Sequence, residues 1–323
     1  MADAQTRPAA VDKPAIAEGP ARVGATDPRV SIVVLTHDRC GELRRTLRGL
    51  ARNAPGHPVV VVDNASRDGT RDCVLREFPN AVYLRSPANL GAAGRNLGVR
   101  ACRTPYVAFS DDDTCWEPGA LERAAGLLDA APGVAVASAA VRVGVAGRPD
   151  PACRAMAASP LPRQGLPGPR LLGFMAGACV MRTAAFRQAG GYWPDLFIGG
   201  EEALLALDLA ELGWGMVYAP QVATRHWPSP RRDAPGRRLL LARNAIWTAW
   251  LRFPLREAAP LCAEALAALP RRRDRLRALA QALAGLPRLW PRRRVLSPRV
   301  RAMHARLRAV HGGDADGLPV HVP

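Results

Sequence analysis

In the stretch YVAFSDDD at residues 106–113, an apolar run ends directly on three aspartates. The apolar part is typical of a strand buried inside a sheet, whereas three adjacent carboxylates repel one another. A chain that ends a buried strand on such a cluster is expected to hold it with a cation. Mg²⁺ or Mn²⁺ bound by one or two carboxylates keeps open positions, which phosphate oxygens can fill. The residues alone leave one alternative open, an acidic turn that caps the helix beginning near Pro118.

Upstream and downstream of this stretch, apolar runs alternate with segments of helical spacing. The predicted strands are 30–35, 59–62, 81–84, 106–110, 134–140 and 216–218. Strict alternation of strand and helix predicts a parallel, doubly wound sheet, which binds ligands outside the carboxyl ends of its strands. Polar segments at 36–38 and 63–66 fall at two such ends, and 111–113 at a third. A Pro- and Gly-rich stretch at 147–169 is predicted to be a mobile loop.

The charge is distributed unevenly along the 323 residues. The formal net charge is +17, Lys13 is the only lysine, and 231–308 holds 20 arginines against four acidic residues. The rest is nearly neutral, which argues against a nucleic-acid binder as a whole. The basic segment is predicted to be helical, broken by prolines at 260, 270, 287 and 291, with Leu276, Leu279, Leu283 and Leu286 on one face. Two roles stay open for it: lying on anionic lipid, or packing on the main domain with a solvated basic face.

Seven cysteines lie singly, at positions 40, 73, 102, 115, 153, 179 and 262. Without a C-x-x-C pair they indicate small apolar residues in a reducing cytosol rather than a zinc site. The N-terminus has no apolar segment of the signal-peptide kind, and no run of 18 apolar residues occurs. We therefore expect neither a signal peptide nor a membrane span.

Four motifs, in order, resemble those of family 2 glycosyltransferases with a GT-A fold. They are VSIVVLTHDR at 30–39, VVDNASRDGT at 61–70, NLGAAGRNLG at 89–98 and the aspartates as a D-x-D site. The resemblance extends from about residue 30 to 244. It implies a Rossmann-like, doubly wound mixed sheet with a C-terminal arginine-rich helical extension. Composition and charge add the remaining boundaries: an Ala- and Pro-rich stretch predicts a disordered leader (1–28) before the GT-A domain (29–230), and the arginine-rich extension (231–310) and a tail (311–323) follow it.

The resemblance also implies roles for individual side chains. Contacts to a nucleoside-diphosphate sugar would come from Thr36, Asp63, Arg95, Asp111, Asp112 and Arg243. A Mg²⁺ or Mn²⁺ ion would be held by Asp111 and Asp113, with His226 at the metal or the diphosphate. The residues support each role and leave alternatives: Asp63 can accept a base N–H or form an Asx-turn, and Arg95 can bind phosphate or stay solvated at a helix start.

A second acidic motif, GGEE at 199–202, precedes a predicted helix. Relatives usually carry Glu-Asp here, and the resemblance implies that Glu202 is the general base for the acceptor hydroxyl, with Glu201 as the alternative. Two acids in a first helical turn also complement the helix dipole, which is the structural explanation. Trp193 and Phe197 fall where an acceptor would dock, although core packing is the expectation for Phe197.

The resemblance implies a metal-dependent inverting transfer from a nucleoside-diphosphate sugar to a hydroxyl of a glycan or lipid-linked acceptor, in cell-surface polysaccharide or glycolipid assembly. A cytoplasmic protein is expected, with a possible peripheral position on the inner face of the cell membrane through 231–310. The alternative is a non-enzymatic basic protein that binds nucleic acid or membrane on a degenerate GT-A scaffold. We expect no nucleic-acid partner, because the extension has few aromatic residues.

Overall fold

The computed structural model describes residues 29–228 and 234–311. The predicted leader, nearly all of the predicted tail, and the boundary between the main domain and the extension lie outside the described residues. All seven cysteines are free thiols in the described chain, as their spacing predicts.

The strands are β1 (Val30–Thr36), β2 (Val59–Asp63), β3 (Val82–Arg85), β4 (Tyr106–Asp111), β5 (Thr114–Trp116), β6 (Val134–Val143), β7 (Arg148–Pro149), β8 (Ala178–Arg182) and β9 (Gly215–His226). Strands β1 to β4 begin and end within one residue of the predicted positions, β6 and β9 extend beyond theirs, and β5, β7 and β8 were not predicted. The helices are α1 (Cys40–Asn53), α2 (Thr70–Glu77), α3 (Arg95–Ala101), α4 (Ala120–Ala130), α5 (Pro151–Ala157), α6 (Thr183–Gln188), α7 (Glu201–Glu211), α8 (Ala234–Arg252), α9 (Leu255–Ala267), α10 (Arg272–Leu289) and α11 (Pro298–His311). Short 3-10 turns occupy Gly91–Gly94, Pro194–Leu196 and Trp290–Arg292.

The sheet is mixed rather than parallel throughout. Its order is β3-β2-β1-β4-β8-β6-β9-β5, with β7 at the side of β6. The β1, β2, β3 and β4 strands are parallel, but β8 runs antiparallel to β4 and to β6. Alternation predicted the parallel direction of β1 to β4 and of the β6–β9 pair correctly. It did not predict β5, β7 and β8, which run antiparallel to their neighbours. The mixed sheet implied by the resemblance is confirmed.

The Pro- and Gly-rich stretch at 147–169 is partly ordered, against the prediction of a loop. It holds β7 and α5, and α5 begins with Pro151 after Asp150, whose side chain accepts a hydrogen bond from the Ala152 backbone N–H at 2.9 Å. Proline is tolerated in the first helical turn because the backbone N–H that it lacks would have no partner inside the helix. The Pro- and Gly-rich composition of 147–169 therefore gave no indication that α5 begins there.

Buried apolar residues fill both faces of the central strands. Ile32, Val33 and Val34 of β1 and Val107 and Phe109 of β4 are fully buried. Helices cover both faces of this part of the sheet, so side chains on both faces are buried. The sequence of each strand is therefore an uninterrupted apolar run. The strand ends are the places where polar side chains begin.

The C-terminal helices pack on the main domain, which agrees with one of the two roles left open for them. Arg252, only 4% exposed, forms a two-pronged ion pair with Asp208 of α7, with Nε to Oδ1 at 2.6 Å and Nη2 to Oδ2 at 2.9 Å. The Trp247 indole donates to the Ala282 carbonyl at 2.9 Å, which joins α8 to α10. Pro260 and Pro287 lie inside α9 and α10 rather than breaking them, because tertiary packing outweighs propensity.

The face that α10 turns to the protein is not its leucine face. Its buried residues are Ala278, Ala282, Gly285 and Leu289. A Cβ at Gly285 would stand 2.4 Å from the Trp247 ring, so a small residue is needed for this close approach. Leu276, Leu279 and Leu283 are 58%, 38% and 55% exposed. The predicted leucine stripe exists, but it points outward.

Stability is expected to fall in mild acid through His304 of α11. Burial, with a smaller effect of Arg308, lowers the pKa of His304 from 6.5 to about 4, and its ring packs on Phe253 with centroids 4.7 Å apart. The unfolded chain binds this proton near pH 6.5 and the folded chain only near pH 4, so the free energy of unfolding falls as pH decreases through that window. Urea unfolding measures the free energy of unfolding at pH 7.5 and at pH 5. Between these two pH values it should fall by roughly 2 kcal/mol more in the wild type than in His304→Phe. Equal losses in both proteins would contradict this assignment.

Candidate active site

The carboxyl ends of β1, β2 and β4 meet at one edge of the sheet. The strand register places Thr36 beside Asp63, and Leu35 beside Asp111. The three polar segments therefore lie together, as the expected ligand edge of a doubly wound sheet requires.

Asp63 is fully buried, and both of its carboxylate oxygens accept hydrogen bonds from the protein. The Ser66 backbone N–H donates to Oδ1 at 2.7 Å, a local bond that spans three residues rather than the two of the Asx-turn considered as the alternative. The Tyr83 hydroxyl and Arg85 Nη1 donate to Oδ2, the latter at 2.9 Å. Burial and the bond to Asp63 raise the pKa of Tyr83 to about 12, so its hydroxyl stays a donor. A base that pairs with Asp63 has to displace one of these donors, and base recognition stays a prediction.

The second and third aspartates share one arginine. Arg39 Nη1 lies 2.9 Å from Asp112 Oδ1 and 3.3 Å from Asp113 Oδ2. The Thr36 hydroxyl donates to Asp112 Oδ2 at 3.0 Å. Burial raises the pKa of Asp112 to about 7 although Arg39 opposes the shift, and the neighbouring aspartates add to it. Crowded negative charge is thus a property of the folded site as well as of the sequence.

Strand pairing brings His226 to the aspartates. Because β5 runs antiparallel to β9, Thr114 lies opposite His226, and His226 Nε2 is 3.5 Å from Asp113 Oδ1. The Trp227 backbone N–H donates to the Asp113 carbonyl at 2.9 Å. A residue more than one hundred positions downstream is therefore fixed against the third aspartate, and its role at a metal or diphosphate stays a prediction.

Asp111 contacts Arg95 rather than Asp113 or His226. Arg95 Nη2 donates to Asp111 Oδ1, and the Asp111 side chain is 42% exposed while that of Arg95 is 6% exposed. Burial alone would lower the pKa of Arg95, but the charges of Asp111, Tyr192, Glu201 and Glu202 outweigh it and raise that pKa. Arg95 is therefore no solvated side chain at a helix start, which was the alternative. It is a buried cation between the two acidic motifs.

The two glutamates begin α7, after two glycines in the left-handed region. Glu201 is 4% exposed, and its Oε2 has no hydrogen-bond partner among the described residues. Burial raises the pKa of Glu202 well above its ordinary value; the charges of Glu201 and Asp111 add to the shift and Arg95 opposes it. Burial also raises the pKa of Glu201. A carboxylate held in such surroundings is a stronger base than one in water, and Glu202 is the less buried of the two.

The Gly-rich segment after β3 links the strand ends to the loop before α7. Asn64 Nδ2 donates to the Gly91 carbonyl at 2.8 Å, and the Ala92 backbone N–H donates to the Phe197 carbonyl at 2.7 Å. Gly91 has φ +57°, and a Cβ there would stand 2.0 Å from Phe197 O. The glycine is thus required by close contact with the protein's own backbone.

Phe197 adopts a backbone conformation that L-residues rarely use. Its φ is +62° and its ψ is −73°, and the Ile198 N–H bonds the Leu196 carbonyl at 2.8 Å, which makes a strained γ-turn. The Phe197 side chain is 36% exposed, so the expectation of core packing is wrong. The strained turn presents an aromatic ring four residues before Glu201.

One buried asparagine holds this turn in place. The Asn244 side-chain amide donates to the carbonyls of Leu196, Ile198 and Gly199 at 2.8, 3.2 and 2.6 Å. Its own carbonyl accepts from Arg243 Nε and Nη2 at 3.0 and 2.8 Å.

Arg243, expected to contact the donor, lies against this loop. Its Nη2 also bonds the Leu196 carbonyl at 3.0 Å, and its guanidinium stacks 4.4 Å from the Trp247 ring centroid. A donor contact by Arg243 stays a prediction.

Asn244→Ala is expected to lower the free energy of unfolding by about 2–4 kcal/mol, because it leaves buried carbonyls and a guanidinium without their partner. Asn80→Ala is the matched control: Asn80 is exposed, and its loss should cost less than about 0.5 kcal/mol. Urea unfolding of both variants measures the difference. A similar small change in both would show that the turn does not depend on Asn244.

The acidic cluster fits a divalent cation by its chemistry. Two carboxylates and an imidazole, from Asp111, Asp113 and His226, are ligands that Mg²⁺ or Mn²⁺ accepts. Across 29–228 and 234–311, no three His, Cys, Asp or Glu side chains already converge as a metal site. Arg95 and Arg39 instead supply positive charge to the aspartates. Metal binding would thus exchange guanidinium partners for the ion.

Sequence reasoning overlooked several side chains of this site. Arg39 lies within the first quoted motif, and its position just after a strand end was the available signal. Tyr192 is fully buried, with the Arg95 guanidinium 5.6 Å from its ring centroid, and no sequence pattern pointed to that contact. Tyr83 and Arg85 are brought to Asp63 by the β2–β3 register, which local patterns do not reveal.

Comparison with known proteins places this geometry in a family. The model of the family described as "Glycosyl transferase family 2" matches residues 31–190. The N-acetylglucosaminyl-diphospho-decaprenol L-rhamnosyltransferase of Mycobacterium tuberculosis is 29% identical over 280 residues, covering 70% of this chain and 87% of that protein. The validoxylamine A glucosyltransferase of Streptomyces hygroscopicus subsp. jinggangensis is 38% identical over 98 residues, which cover 27% of this chain and 23% of that protein.

Solved structures share the fold at lower identity. The mannosyltransferase PcManGT from Pyrobaculum calidifontis, in complex with GDP-Man and Mn²⁺, superposes with a TM-score of 0.53 at 21% identity, over 90% of this chain and 88% of that one. Residues 1–349 of S. aureus TarS give a TM-score of 0.57 at 18% identity, over 88% and 87%. Nothing in these similarities supports the alternative of a non-enzymatic binding protein. The chain belongs to glycosyl transferase family 2 and is a glycosyltransferase with a GT-A fold.

Proposed function

We propose that this enzyme transfers a sugar, with inversion, from a nucleoside-diphosphate sugar to the hydroxyl of a lipid-linked acceptor. The main support for the proposal is the position of Arg95. Its guanidinium forms an ion pair with Asp111 and also interacts electrostatically with Glu201 and Glu202. The donor-side acids and the base-side acids thus form a single network. A site with that arrangement can hold a leaving diphosphate on one side and deprotonate a nucleophile on the other.

A divalent cation held by Asp111 and Asp113, with His226 beside them, would supply charge neutralisation for the departing diphosphate. Thr36, Asp63, Asp112 and Arg95 would bind and orient the nucleotide sugar from the strand ends. The TarS crystal structure with UDP-GlcNAc and the PcManGT structure with GDP-Man and Mn²⁺ support a donor of this class. Neither structure fixes the base or the sugar for this chain.

Glu202 would accept the proton of the acceptor hydroxyl as its oxygen attacks the anomeric carbon. A single displacement opposite the leaving group inverts the configuration at that carbon. The raised pKa of Glu202 makes the carboxylate a better proton acceptor at the pH where it is ionised. The exposed Phe197 ring, presented by the strained turn, would offer a face to the acceptor.

The name of the mycobacterial relative supports a lipid-linked acceptor, because that enzyme acts on N-acetylglucosaminyl-diphospho-decaprenol. Such an acceptor suits assembly of cell-surface glycan or glycolipid at a membrane. Among the described residues, no helix is both long and apolar enough to cross a bilayer. The 20 arginines of 231–308 support a different inference, that the basic extension makes peripheral contact with anionic membrane.

A direct test offers the enzyme UDP-, GDP- and dTDP-sugars with Mn²⁺ and N-acetylglucosaminyl-diphospho-polyprenol in detergent. Mass spectrometry should find one added sugar, and NMR of the product should find the anomeric configuration opposite to that of the donor. Product with retained configuration would contradict the single displacement. Transfer only to a free sugar, with none to the polyprenol, would contradict the lipid-linked acceptor.

A further inference from the structure

The outward face of α10 has the composition of a buried surface. Leu276, Leu279 and Leu283, here called the leucine face, follow one another at helical spacing and are 58%, 38% and 55% exposed. Trp290, just after α10 and 62% exposed, continues the same stripe by its spacing. Single exposed leucines are ordinary, but a continuous apolar stripe marks an interaction surface.

The same helix already has a complete inner face, so the leucine face is not needed for folding. Ala278, Ala282 and Gly285 pack against α8, where Gly285 lies too close to Trp247 for any side chain. A helix with one partner and water on the other side would carry polar residues at the leucine positions. The helix therefore carries a second apolar face for a second partner.

Positive charge surrounds the leucine face. Arg272, Arg273, Arg275 and Arg277 of α10 are all exposed, and Arg271 precedes them. This combination of leucines with flanking arginines is complementary to an anionic lipid surface, in which apolar side chains enter the acyl boundary and guanidinium groups meet phosphates. A second copy of the chain would bring like charges together, and nucleic acid would leave the leucines unused.

The C-terminal end of the helix that carries the leucine face contacts the loop before α7. Arg288 of α10 is 3.1 Å from Asp195, and Arg292 just beyond α10 is 3.4 Å from it. Asp195 belongs to the loop that holds Phe197 and Ile198, each 36% exposed, directly before Glu201. Contact of α10 with a bilayer would thus bring the loop before the base close to the membrane surface.

We propose that the leucine face, flanked by Arg272, Arg273 and Arg277, inserts into the interface of an anionic phospholipid bilayer and docks the enzyme where a lipid-linked acceptor resides. This inference rests on the proposed function for its biological meaning, but the surface itself can be tested without any acceptor.

The test is flotation of the full chain with vesicles of phosphatidylcholine alone or with one third phosphatidylglycerol. Three variants are compared with the wild type: Leu276→Gln with Leu279→Gln and Leu283→Gln; Arg272→Gln with Arg273→Gln and Arg277→Gln; and Leu75→Gln as the matched control. Leu75 is 46% exposed on α2, outside the extension. The wild type and the control should bind the anionic vesicles, and both triple variants should bind at least tenfold less.

Loss in the arginine variant with full binding by the leucine variant would overturn insertion and leave charge adsorption only. The membrane would not be the partner if the wild type failed to bind vesicles. The same holds if the wild type were a dimer and the leucine variant a monomer. A nucleotide-induced thermal shift, measured on the same variants, should be unchanged from the wild type. Absence of that shift in the wild type would count against the proposed function and not against the leucine face.

Discussion

Glu202→Gln is expected to lower kcat by about 10²–10⁴-fold, which is the usual contribution of a positioned general base. Glutamine keeps the size of the side chain and removes its capacity to take a proton. Glu202 lies with Glu201 in the first turn of α7, beside the charges of Arg95 and Asp111. Because the nucleotide would bind at the strand ends, its affinity should change little. Steady-state transfer assays and nucleotide titrations separate the two effects.

Two further variants test the assignment of the base. Glu202→Asp keeps a carboxylate and should retain much more activity than Glu202→Gln. Glu201→Gln should lose less than Glu202→Gln, because the buried Glu201 would act on the local charge rather than on the acceptor. Full activity in Glu202→Gln together with a large loss in Glu201→Gln would move the base to Glu201.

The pH profile of the wild type follows from the same surroundings. Burial and neighbouring negative charge raise the pKa of Glu202, and only the ionised carboxylate can accept a proton. Activity should therefore fall as pH decreases through this raised pKa, so the acidic limb of kcat/KM lies well above the range of an ordinary glutamate. An acidic limb near pH 4.5, the range of an ordinary glutamate, would show that burial and neighbouring charge do not raise the pKa of Glu202.

Asp113→Asn is expected to reduce kcat/KM by at least about 10³-fold, comparable to the loss of a main electrostatic element of an active site. Asp113 is buried between Arg39 and His226, at 3.3 and 3.5 Å, and an amide there would weaken both contacts and any metal binding. The loss should appear mainly as weaker donor binding and a higher metal requirement. Transfer assays over a range of Mn²⁺ concentrations measure it.

Asp72→Asn provides the matched control for this substitution. Asp72 is 60% exposed on α2, where it pairs with Arg76, and its loss removes one negative charge outside the aspartate cluster. The control should keep wild-type activity and metal dependence. Asp113→Asn with unchanged metal dependence would show that the third aspartate holds no metal.

Much of this architecture could be predicted from sequence because its signals are local. The apolar runs of β1, β2 and β4 identified the strands to within one residue, and the polar residues that follow them identified the ligand edge. The short spacing between the strand and the aspartates left little freedom in where Asp111, Asp112 and Asp113 could lie.

The parts that sequence did not predict depend on contacts between distant segments. The antiparallel direction of β8 depends on how the chain returns after 144–177, which no local pattern encodes. The direction of Asp111 towards Arg95 and of Asp113 towards His226 follows from side-chain packing. The outward leucine face of α10 is a similar case: helical spacing located the stripe, but only the packing of Gly285 on Trp247 shows which face is buried.

We propose that the strand-end cluster binds a nucleoside diphosphate together with a divalent cation. Thermal unfolding of the wild type and Asp113→Asn, with UDP, GDP or dTDP and with or without Mn²⁺, tests it most directly. At a hundredfold excess over its dissociation constant, a ligand stabilises the folded state by about 2.7 kcal/mol, or on the order of 5 °C. We predict such a shift for at least one nucleotide, only with Mn²⁺ and only in the wild type. The absence of any shift would show that the cluster binds none of these nucleotides. An equal shift in Asp113→Asn would show that binding does not depend on a metal at Asp113.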